Sequence, residues 1–163
     1  MTTIDYVHRV VMPAAYALLP PTMASPEATA MLLAIGLQES KFQHRRQMGD
    51  GPARGWWQFE GGKYSATNNV LQHPKIDVVV ANILHDLHYP PERLACWDAL
   101  EHNDILAAVF ARLQLWTIPG QLPSVHQPQV AWEYYENAWN PGKPHRATWD
   151  DYYRQAWGVV HAG

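Results

Sequence analysis

Along residues 26–40, PEATAMLLAIGLQES, the apolar positions follow helical spacing. Ala28, Leu32, Ile35 and Glu39 are separated by four, three and four residues and share one face. Leu33, Ala34 and Leu37 cover the other directions, which predicts a helix buried almost all round. Ser25 before Pro26 supplies an N-cap with proline in the first turn. An earlier helix is predicted over 3–18, kinked at Pro13 and ended by Pro20 and Pro21. Gly49, Gly51, Gly55, Gly61, Gly62 and Pro52 make 43–63 a loop or short β-hairpin. Further helices are predicted over 75–88, 91–100, 103–116, 127–139 and 148–160, with Asn103 and Thr148 as N-caps. Pro119, Gly120 and Pro123 break the chain between two of these, and NPGKP at 140–144 makes another turn. The pattern predicts a mainly α fold in a single domain spanning residues 1–163.

Glu39 ends this apolar helix on its apolar stripe. A helix C-terminus disfavours negative charge and apolar neighbours desolvate it, so both effects raise a carboxyl pKa. That is the property of a general acid at neutral pH. The alternative is a glutamate that reaches water past the last turn. The loop that follows, GPARGWWQFEGG, offers two readings as well. Its glycines allow close backbone approach to a ligand, and Gln58 both donates and accepts hydrogen bonds. If the segment is extended, Trp56 and Trp57 point to opposite sides and one faces a groove. Otherwise the segment is a tight hairpin with a tryptophan capping the core.

Composition narrows the function classes. The chain has 163 residues, 47% hydrophobic and 17% charged, which suits a globular domain. Eight Trp and eight Tyr against three Phe supply flat faces with polar tips, fit for stacking on sugars as well as for filling a core. A formal charge of −3 argues against a nucleic-acid footprint. The lone Cys96 excludes an internal disulfide. His85 and His88 lack a third ligand of clear spacing, so no metal site is expected. The N-terminal stretch, interrupted by Asp5, His8 and Pro13, does not read as a signal peptide. No stretch approaches the roughly 18 apolar residues of a membrane span, so no membrane insertion is expected.

Gln-Glu-Ser-Lys-Phe at 38–42 and Gly-Trp-Trp-Gln-Phe at 55–59 resemble the first two motifs of the lytic transglycosylase branch of the lysozyme-like superfamily, usually E-S-x-F and G-L-M-Q-I. The order of elements is similar to that of phage and prophage lysozyme-like proteins. The resemblance covers the layout of residues 8–117 and is sharp at 38–59. It implies a lysozyme-like domain with Glu39 as catalytic acid, Ser40 as an orienting residue and Gln58 near the cleaved sugar; it implies no cofactor. The third motif, A-Y-N-A-G, is absent from its expected place, AAVFARLQLW at 107–116. Tyr134, Tyr135 and Asn137 are candidates to replace it from the next helix.

The activity implied is cleavage of peptidoglycan between N-acetylmuramic acid and N-acetylglucosamine, with glycan strands as partner and virion proteins as a further candidate partner. A transglycosylase needs one acid and forms a 1,6-anhydro product with help from the substrate acetamide. A hydrolase needs a second carboxylate, for which Glu60 and Asp50 are the candidates; Asp50, between glycines, also reads as a turn residue. Such a protein would be made in the bacterial cytoplasm without its own signal and act at the cell wall or within a virion. The competing expectation is a non-catalytic glycan-binding or virion structural protein that keeps the fold.

Overall fold

The computed structural model describes residues 1–163, and they form a mainly helical assembly without a β-sheet. Residues 3–18 are helical throughout: α1 (Thr3–Tyr6), a π-helical turn (Val7–Val11) and α2 (Met12–Leu18). Pro13 has no N–H for the carbonyl of Arg9, and its ring crowds that carbonyl. The wider π turn lies just before it, with the Met12 N–H on the carbonyl of Val7. Pro13 thus coincides with a change of helical register in the turn before it.

The central helix is α3 (Pro26–Ser40), with eleven of its fifteen residues buried. The Ser25 side chain accepts from the Ala28 N–H, as an N-cap should. Lys41 ends the helix in the left-handed region, φ 56°. Phe42 then folds back over Gly36, whose missing Cβ leaves the space that the Phe42 ring fills.

Then come α4 (Ala66–Gln72), α5 (Asp77–Asp86), α6 (Arg93–His102), α7 (Asp104–Trp116), α8 (Pro128–Trp139) and α9 (Arg146–Ala162). Helix α3 packs chiefly on α9, and α7 closes the core against α2. Asn103 caps α7 through the Leu106 N–H. Thr148 is no N-cap, because α9 begins two residues earlier, after His145. Its hydroxyl lies within hydrogen-bonding distance of the His145 carbonyl and of Gln38 Oε1. Helix α4 is absent from the predicted elements. The 43–63 segment is a loop carrying two isolated antiparallel bridges, Arg46 with Arg54 and Arg54 with Phe59. No helix is long and apolar enough to cross a membrane.

Candidate active site

Glu39 is the penultimate residue of α3 and sits in the wall of a cleft of about 1140 Å³. Its Oε1 accepts the Tyr135 hydroxyl at 2.5 Å. Burial pushes the Glu39 carboxyl up to about 7; the Tyr135 hydrogen bond opposes the shift and the nearby negative charge of Glu60 adds to it. At neutral pH the group is therefore divided between acid and carboxylate. Tyr135 is raised above the usual phenol range by its burial and by Glu39, so it stays the donor.

Aromatic stacking places Tyr135. Its ring lies 5.2 Å from Trp149 at 11°, and Trp149 continues to Tyr153 at 5.9 Å and 18°. A stack running between α8 and α9 therefore fixes the phenol before the hydroxyl reaches Glu39. Trp139, one turn further along α8, donates from Nε1 to the carbonyl of Trp57 at 2.9 Å. Gln114 on α7 donates to the Ala138 carbonyl at 2.6 Å and accepts from Asn69 of α4 at 2.8 Å. The cleft wall is thereby tied to α3, α4, α7 and α8 at once.

The structure gathers Glu39, Ser40, Gln58, Glu60, Tyr135 and Asn137 around one cleft. Ser40 is buried, and its hydroxyl donates to the Trp56 carbonyl at 2.7 Å, joining the end of α3 to the following loop. Gln58 holds a left-handed conformation, φ 53°, and donates its side-chain N–H to Gly55; no protein donor reaches its Oε1. Lys41 and Asn140, also at positive φ, are the left-handed C-caps of α3 and α8 and line the same cleft. His44, Lys143 and His145 add polar and basic groups to its rim.

Other expected positions fall elsewhere. Trp56 and Trp57 are both buried and absent from the cleft lining. The extended geometry behind the expected groove position does not occur: Gly55 and Gln58 at positive φ turn the segment tightly, and both indoles go inward. They pack edge-on against Phe42 at 5.5 and 5.7 Å, and Trp57 Nε1 donates to the Leu32 carbonyl. The glycines serve the protein's own packing as well. A Cβ on Gly55 would meet the Leu100 carbonyl, and one on Gly61 would meet the Trp97 ring. Tyr134 points away and donates to the Gln121 carbonyl at 2.8 Å. Asp50 is an exposed turn residue off the cleft lining, while Met48 of the same turn lies on it.

Trp139, Gln114 and Asn69 are among the cleft residues that sequence reasoning missed. The run Tyr135-Glu136-Asn137-Ala138-Trp139 ahead of the NPGKP turn was the available signal. As for metal ligands, Asp98, Glu101 and His102 bring ligand atoms within 4.8 Å of one another. Glu101 is already engaged by Arg46, and this group lies outside the cleft. Comparison with family models, with curated proteins and with solved structures finds no match.

Proposed function

We propose that this protein is a glycosidase of lysozyme-like type that cleaves the glycan strand of peptidoglycan, with Glu39 as its acid. The observation that carries the reading is the half-buried Glu39 carboxyl, its pKa near neutrality, set on a large polar cleft and held by a tyrosine from a distant helix. A general acid must be protonated at working pH and still yield its proton, and a pKa of about 7 meets both demands. The motifs at 38–42 and 55–59 supply the substrate class.

In this mechanism Glu39 gives its proton to the glycosidic oxygen between N-acetylmuramic acid and N-acetylglucosamine. The bond to the anomeric carbon breaks, and positive charge develops there. Tyr135 donates to the carboxylate left behind. In the transglycosylase course, the sugar's own C6 oxygen attacks the anomeric carbon and gives its proton to Glu39, which closes a 1,6-anhydro ring and restores the acid. Asn137 and the free Oε1 of Gln58 are the polar groups proposed to orient the sugar.

Glu60 favours a second course. It lines the cleft, and its charge raises the pKa of Glu39. In a hydrolase it would activate water. Mass spectrometry of the products released from purified peptidoglycan decides between the courses. Anhydromuramyl ends assign transglycosylation; reducing muramic acid ends assign hydrolysis, and the rate of Glu60→Gln then tests Glu60 as its second carboxylate. No soluble product from the folded protein rejects the glycosidase reading in favour of a glycan-binding or virion structural protein.

A further inference from the structure

Arg112 projects from α7 and is only 3% exposed. Its Nε donates to the Met23 carbonyl at 2.7 Å, while neither terminal nitrogen donates to a protein acceptor. No carboxylate pairs with it; burial draws its pKa down, and only Tyr16 opposes that shift. Arg112 lines a cavity of about 600 Å³ between the end of α7, residues 118–122 and the start of α3. The Trp116 ring lies 5.2 Å from the guanidinium. Lys75 and Glu27 line the same cavity.

The terminal nitrogens have no protein acceptor and keep access to the cavity, so an anion entering it meets free donors on a guanidinium otherwise held in the core. The planar fork matches a carboxylate with two parallel hydrogen bonds. We propose that this cavity binds a carboxylate-bearing ligand of peptide type. The carboxylate sits on Arg112 with Lys75 at the mouth, an apolar part lies on Trp116, and an ammonium faces Glu27. Glu27 argues for an amino-acid ligand over a phosphate, because it pairs with an ammonium and repels a dianion. Ile118 lines both this cavity and the cleft, so the two openings adjoin. The carboxylate thus comes from a free peptide or from a peptide borne on a polymer lying in the cleft. The assignment does not rest on the glycosidase reading.

The test uses the full-length, isotope-labelled Glu39→Gln protein, so that any polymer survives the experiment. The Trp116 indole N–H and the Arg112 Nε–H are followed by NMR. The probes are the tripeptide Ala-Glu-Lys, soluble peptidoglycan fragments carrying peptide stems, and inorganic phosphate. Saturable shifts are expected with a peptide-bearing probe, and phosphate is expected to bind about tenfold more weakly. Lys75→Glu should weaken peptide binding several-fold and Arg112→Gln about tenfold or more. Saturation by the tripeptide identifies a free ligand; saturation by the fragments alone identifies a polymer-borne one. The proposal is overturned by no saturable shift with either peptide probe, by phosphate binding as tightly as peptide, or by unchanged affinity in Lys75→Glu. Lys75 is exposed, so that variant remains informative even where Arg112→Gln does not fold.

Discussion

Glu39 and Glu101 are the same residue at the same station, each the penultimate position of its helix. Their surroundings drive them in opposite directions. Glu101 accepts from Arg46 Nε and Nη2, each at 3.0 Å, and has Arg54 at 3.5 Å, and the Arg46 hydrogen bonds hold its carboxyl below the usual range. Glu39 has no cation paired with it, only a phenol at 2.5 Å, and burial raises it to about 7. A helix end therefore does not decide what a glutamate does. Its surroundings do: two arginines make a permanent anion that fastens a loop, and burial without a cation, against the opposing pull of a tyrosine hydrogen bond, makes an acid that still exchanges its proton.

The contrast breaks most sharply at Glu39. Glu39→Gln should reduce release of soluble wall fragments about a thousandfold, while circular dichroism shows the fold intact. The same variant tests the energetics. A carboxyl raised from its ordinary 4.5 to about 7 keeps its proton in the folded state after the unfolded chain has lost it. Stability then falls as pH rises through that window, by roughly 3 kcal/mol in full. Glutamine has no proton to lose, so the variant should melt above the wild type at pH 8, with the gap closing by pH 4.

Tyr135→Phe keeps the ring on Trp149 and removes the hydroxyl. Loss of that hydrogen bond takes away the influence that lowers Glu39, so the alkaline limb of the pH–rate curve should move up. The optimal rate should fall about tenfold. Glu60→Gln should move the same limb down, because it removes the neighbouring charge that raises Glu39. A further steep loss of rate in Glu60→Gln would mark hydrolysis. The smallest effect belongs to Glu101→Gln, with a melting temperature lower by about 3 °C at neutral pH and unchanged activity. The folded pKa of Glu101 is depressed, so its contribution is present above the unfolded pKa and lost as pH falls through the folded one. The difference between variant and wild type should therefore vanish in acid.

What was legible in the sequence was local. The period of residues 26–40 marked a core helix, and that placed Glu39 at its desolvated end. Asn103 and Ser25 announced their helices because capping joins residues only three apart. Tyr135 was a candidate by residue type, yet its contact with Glu39 spans 96 positions and depends on how α8 packs. Trp56 and Trp57 misled because a tight turn with left-handed residues carries two adjacent side chains inward, which strand alternation forbids. Helix α4 escaped because it is seven residues long and buries only Thr67 and Val70, leaving Ser65 at its cap as its one clear mark.

The most direct measurement is a titration of the Glu39 side-chain carboxyl carbon by NMR, assigned by its absence from Glu39→Gln. A midpoint near 7 is the result this account predicts. A midpoint near the ordinary 4.5 would make Glu39 a plain surface carboxylate and contradict its role as the acid.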